Sequence, residues 1–248
     1  MLWPAYEIAL PLALVCAIAF TTETALGFGA TLITVALGSF FLDLAQILPA
    51  LVPLNLVVSL YLVVRYGRHV DRSFLAKRLV PFMALGLPIG LFAFASLDAS
   101  MLKRAFGVFL VGVSVLELYR MRVDSPVKHL DTWSERALLL AGGAIHGAFA
   151  TGGPMAVYVT SRVLEDKNVY RATLSALWTI LNLAMLASYA WRGELDGSTA
   201  GLGVCLAPSA AIGMLLGELL HARVPVATFR TVVFGMLVLA GLVLVLRG

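Results

Sequence analysis

Apolar residues gather into six runs long enough to cross a bilayer, which takes roughly 20 residues of straight helix: 47–64, 79–97, 102–119, 172–191, 199–217 and 226–246. Two more apolar stretches, 5–41 and 137–161, are interrupted at their centres by small and polar residues. The first interruption reads Thr21-Thr22-Glu23-Thr24-Ala25-Leu26-Gly27-Phe28-Gly29, the second His146-Gly147-Ala148-Phe149-Ala150-Thr151-Gly152-Gly153-Pro154. Each predicts a broken-helix hairpin, and the arms flanking Pro154 are short enough to predict a partial or tilted crossing. The pattern is that of an all-α polytopic membrane protein with 8 to 10 membrane helices.

The chain also repeats itself. A shift of 127 residues brings Asn55 onto Asn182, Arg65 onto Arg192, Pro81 onto Pro208, Gly86 onto Gly213, Gly90 onto Gly217 and Lys103 onto Arg230. This predicts a first membrane repeat over 1–120, a cytoplasmic linker over 121–135 and a second repeat over 136–248. A hairpin returns to the side it entered, so a hairpin plus three spans leaves an odd count, and the second repeat is expected to be inverted. Basic residues test this, since they collect on the cytoplasmic side. With both termini periplasmic, 14 of the 18 Lys and Arg residues fall on the cytoplasmic face.

Composition agrees. Hydrophobic residues make up 60% of the chain and charged residues 13%, against roughly 45–50% and about 25% in soluble domains. The net charge of +4 does not point to nucleic acid, because the basic residues lie in short gaps between apolar runs. The stretch Met1 to Glu7 has no basic residue and no cleavage site follows, so the first apolar run is read as a retained membrane segment. Cys16 and Cys205 sit inside apolar runs and read as small buried hydrophobes. Trp3, Trp133 and Trp191 near run ends read as interfacial anchors.

Chemistry is expected at the breaks. Unwound backbone in hydrocarbon costs several kcal/mol per unpaired group unless it is buried in protein or lines a cavity. Hairpins entering from opposite faces bring their tips together, and a helix start there offers free N–H groups and partial positive charge to an anion. Thr151-Gly152-Gly153-Pro154 suits such a start, with a capping hydroxyl, close backbone approach and proline in the first turn. Thr24, Gly27 and Gly29 hold the matching place in the first repeat. Asn55 and Asn182, mid-span and repeat-equivalent, read either as anion donors or as helix bridges. Ser59, Ser175, Trp178 and Thr179 lie on helical spacing from them. Glu23 and His146 are the ionisable residues of the breaks, read either as proton-coupling or gating groups or as satisfied structural ones. A carboxylate beside an anion site repels its ligand, so Glu23 is expected to be protonated when substrate binds. The 127-residue shift sets Ala150 against Glu23. Gly86, Gly90, Gly213 and Gly217 read as close-packing positions.

The duplicated layout, the Gly27-Phe28-Gly29 turn and the Gly147-x-x-x-x-Gly152-Gly153-Pro154 turn resemble the TauE/SafE family of sulfite exporters over nearly the whole chain. Many members carry a further glycine where this chain has Ala30. The resemblance implies a bacterial inner-membrane permease for sulfur-containing anions such as sulfite, sulfonates or thiosulfate. Residue reading and resemblance together give a secondary transporter, with no cofactor or metal. A passive anion channel could share the same site. An intramembrane enzyme using His146 finds no Gly-x-Ser-x-Gly turn, His-Glu-x-x-His motif or paired span aspartates to support it.

Overall fold

The computed structural model describes the backbone of residues 6–122, 130–221 and 226–247. The chain termini, Trp3 and the middle of the 121–135 linker lie outside the described residues. Helices account for the fold, and no strand occurs among the described residues. In chain order they are α1 (Tyr6–Leu26), α2 (Ala30–Gly38), α3 (Leu44–Tyr66), α4 (Arg72–Ser96), α5 (Ala99–Arg122), α6 (Thr132–Phe149), α7 (Gly153–Thr160), α8 (Lys167–Arg192), α9 (Gly197–His221) and α10 (Val226–Arg247). By length and composition α1, α3, α4, α5, α8 and α9 can cross a membrane. The first arm of the first hairpin is one of these. Its 21 residues span about 31 Å at 1.5 Å per residue. The return arms α2 and α7, of 9 and 8 residues, reach only about 13 Å.

Local chemistry sets the ends. Asp43 and Gln46 form a capping box at the start of α3, and Asp166 accepts from the amides of Asn168 and Val169 at the start of α8. Those amides, Val169 first, hold the Asp166 carboxyl below its ordinary value. Between α1 and α2, Gly27 and Gly29 have φ of +88° and +118°, a region closed to most side chains. Between α6 and α7 the turn falls on Ala150, whose φ of 52° is the one positive value at a non-glycine residue among the described residues. Outward faces are apolar, with Phe92, Val64, Trp133, Trp191 and Leu246 all strongly exposed, as lipid contact requires.

Packing crosses between the halves. Helix α1 lies along α9, α6 along α4, α3 across α8, and α5 against α10. Glycines make the first two contacts close. A Cβ added to Gly86 would strike backbone of Leu140 and Ala144, and one on Gly90 backbone of Ala144 and Ala148. At the other contact, a Cβ on Gly213 would strike backbone of Ala17 and Thr21, and one on Gly217 backbone of Thr21 and Ala25.

These contacts revise the alignment of the halves. With Gly86 matched to Gly213 and Gly90 to Gly217, Ala17 matches Leu140, Thr21 matches Ala144 and Ala25 matches Ala148, each pair 123 residues apart. The same register sets Gly29 against Gly152, the residues that cap α2 and α7. It sets Glu23 against His146, not Ala150. The difference from 127 is about one helical turn, and it is taken up inside α8: the caps Asp43 and Asp166 are 123 residues apart, while Asn55 and Asn182 further along are 127 apart.

Candidate functional site

The end of α1 carries carbonyls with no intrahelical partner, as every helix end does. Side chains from the other half satisfy them. Arg171 Nη1 donates to Thr24 O at 3.1 Å, Trp178 Nε1 to Gly27 O at 2.8 Å, and His221 Nδ1 lies 2.7 Å from Ala25 O. Arg171 is buried, pairs with Glu218 at 3.1 Å and lies over the Tyr66 ring at 4.3 Å. The break in the first half is therefore held by a buried cation and two aromatic nitrogens.

At the start of α2 the Ala30 amide donates to Glu23 Oε2 at 2.9 Å. Asn55 Nδ2 donates to the same oxygen at 3.0 Å and to Thr31 Oγ1 at 3.2 Å. Asn182 Nδ2 donates to Asn55 Oδ1 at 2.7 Å, so the two mid-span asparagines meet directly. On the far side lies His146. Its Nδ1 accepts from the Gly152 amide at 3.4 Å, which leaves the proton of a neutral ring on Nε2. That nitrogen is buried and has no hydrogen-bond partner. The His146 ring stacks on Trp178, with centroids 5.6 Å apart and planes 15° apart. Trp178 thereby touches both breaks at once.

A cavity with polar and apolar walls lies between the breaks. Glu23, Asn55, His146, Thr151, Gly153 and Trp178 are among the residues that line it, and Phe28, Leu32 and Pro154 add apolar wall. The Thr151 hydroxyl is buried and has no partner. Such an atom costs about 1–3 kcal/mol unless something completes it. At the first turn of α7 the Gly153 amide has no intrahelical acceptor.

Of the residues singled out in the sequence, Glu23, Gly29, Asn55, His146, Thr151, Gly153 and Trp178 reach the cavity. Thr24, Gly27, Gly152 and Asn182 are not on its wall. Thr24 packs beneath Gly217, and a Cβ on Gly152 would overlap Gly142 O. Gly27 sits against Arg171 and Leu174, and Asn182 stands behind Asn55. Ser59, Ser175 and Thr179 bond carbonyls of their own helices. Arg171 escaped the sequence reading because it stands at the edge of an apolar run, where it counts as a loop charge. Its signal is that the run it opens is broken by no other charge before Arg192.

The chain matches the family described as sulfite exporter TauE/SafE over residues 12–244. It is 26% identical over 165 residues to a Comamonas testosteroni protein described as probable inner membrane transporter protein TsaS, covering 66% of this chain and 68% of that one. To a Cupriavidus necator protein described as probable sulfite/organosulfonate exporter TauE it is 29% identical over 105 residues, 42% of this chain and 41% of the relative. No solved structure is significantly similar to it.

Proposed function

Because the chain belongs to the sulfite exporter TauE/SafE family, we propose that it is a secondary transporter carrying small sulfur-containing anions, of the sulfite, sulfonate or thiosulfate type, across the bacterial inner membrane. The observation that carries this reading is the cavity between two helix starts, where a buried and unpartnered Thr151 hydroxyl and the Gly153 amide stand beside Glu23. Amide and hydroxyl donors bind an oxyanion without a buried cation. The curated relatives' descriptions, inner membrane transporter and sulfite/organosulfonate exporter, support the same class.

Transport in this reading is proton-coupled through Glu23. An ionised carboxylate and an anion in one low-dielectric cavity repel strongly, so the loaded state holds Glu23 protonated. The two halves are inverted repeats with periplasmic termini. Support comes from helix directions: the self-equivalent pairs run antiparallel, with Asn55 on Asn182 and Tyr66 on Arg171 in one, and Gly107 on Val245 and Val111 on Gly241 in the other. A twofold axis lying in the membrane plane produces that arrangement.

Flux of sulfite, thiosulfate and sulfoacetate into proteoliposomes tests the function, with an inward proton gradient imposed or absent. At least one anion should move, faster with protons supplied on its own side. No flux of any of the three would overturn the proposal. Cytoplasmic labelling of a cysteine added at the C-terminus would overturn the topology.

A further inference from the structure

The two helix starts at the cavity match in position but differ in what meets them. Ala30 and Gly153 are equivalent in the packing register, and each opens the second arm of its hairpin. The Ala30 amide is taken by the Glu23 carboxyl, which Asn55 also binds. Equivalent to Glu23 is His146, which turns a nitrogen lone pair to the Gly152 amide and brings no oxygen to Gly153. Beside Gly153 the Thr151 hydroxyl is 4% exposed and has no partner. Both residues line the cavity.

We propose that the first helix start is filled by the chain's own Glu23 carboxyl group, whose acceptor oxygen takes the Ala30 amide in the protonated form as well, and that a single substrate oxyanion binds at the second start, on the Gly153 amide and the Thr151 hydroxyl. Glu23 is thus a tethered counterpart of the ligand. Its two hydrogen bonds at 2.9 and 3.0 Å show what one oxygen of an oxyanion receives at such a start. The ligand's remaining bulk lies against Phe28, Pro154 and Trp178, apolar surfaces that suit a sulfur atom or a short methylene group. His146 is a positioning residue: it ties the turn through Gly152 and stacks on Trp178. The stoichiometry that follows is one anion per chain.

This rests on the anion-transporter reading, and the experiment separates the two. Detergent-purified protein is titrated with sulfite by calorimetry, and formate is tested by thermal shift, since a ligand of the folded state raises apparent stability. Wild type should bind one sulfite per chain and ignore formate. Glu23→Ala empties the first start, so formate should raise its melting temperature while leaving wild type and Glu23→Gln unmoved. Thr151→Val should weaken sulfite at least tenfold, Thr151→Ser should restore it, and neither should change the formate effect in the Glu23→Ala background. Two sulfites per wild-type chain, an undiminished affinity in Thr151→Val, or a formate effect lost with Thr151 would overturn the proposal. Failure of wild type to bind sulfite, thiosulfate or sulfoacetate would overturn the transporter reading, while the formate comparison still decides what fills the first start. Should Glu23→Ala fail to fold, the sulfite stoichiometry and the Thr151 pair decide the matter alone.

Discussion

In the first break the new helix begins at Ala30, and a glutamate seven residues back accepts its amide. In the second it begins at Gly153, and the equivalent residue is a histidine that reaches only as far as Gly152. The flanking helices pack in the same register in both halves, on matching glycine pairs. Around the first break Arg171, Trp178 and His221 take up the loose carbonyls. Around the second, the turn is made by Ala150 at positive φ and by glycines pressed against backbone. A shared scaffold therefore brings two helix starts to one cavity, and single side chains decide which start stays open.

The scaffold itself is the place to break that comparison hardest. Gly90→Val and Gly217→Val each drive a side chain into helix backbone, at about 3 kcal/mol or more. Both should lose the monodisperse peak in size-exclusion chromatography, and to a similar degree. A folded Gly217→Val beside an unfolded Gly90→Val would show that the two contacts are not equivalent.

Within the second break, neighbouring glycines should part company. Gly152→Ala meets Gly142 O and the His146 Cβ and should lower the yield of folded protein. At Gly153 an added Cβ meets only Phe28 atoms, at 3.5 Å or more. Gly153→Leu should therefore fold and fill the cavity, with anion flux falling to background. Wild-type flux in that variant would remove the second start from the site.

Next in size is the contrast between the ionisable residues. Glu23→Gln mimics the protonated acid, so it should bind anion but lose the response of flux to an imposed pH gradient. His146→Gln should slow flux severalfold and keep that response. An unchanged response in Glu23→Gln would assign coupling elsewhere.

The smallest effect lies outside the membrane. Asp166→Ala removes two amide bonds at the exposed start of α8 and should lower the melting temperature near neutral pH by about 2 °C. The folded-state value of this carboxyl is lowered, so its contribution is present above the ordinary carboxylate range and is lost as pH falls through the lowered value. A variant that matches wild type at neutral pH would show the cap to be inert.

Much of the bundle was legible because hydropathy in a membrane protein is nearly one-dimensional. Runs such as 47–64 and 199–217 fall inside α3 and α9, since a lipid-facing helix needs apolar residues along its whole length. The breaks were legible for the converse reason: Gly27, Gly29 and Thr151 cannot interrupt such a run without a use. Register was not. A shift of 127 residues aligns α3 to α5 with α8 to α10 and misplaces the hairpins by one turn, because an added turn inside a helix leaves hydropathy unchanged.

The sequence by itself determined that the chain is a helical membrane protein with two polar breaks carrying one acid and one imidazole. Tertiary structure decided that Glu23 and His146 hold matching places in the packing register, that Asn55 and Asn182 meet beside Glu23, that Arg171 turns inward, and that Gly152 packs on Gly142 while Gly153 faces the cavity. Those outcomes depend on which helices touch and at what register. Burial and partner geometry set the role of a polar side chain, and neither is written in its identity or its spacing along the chain.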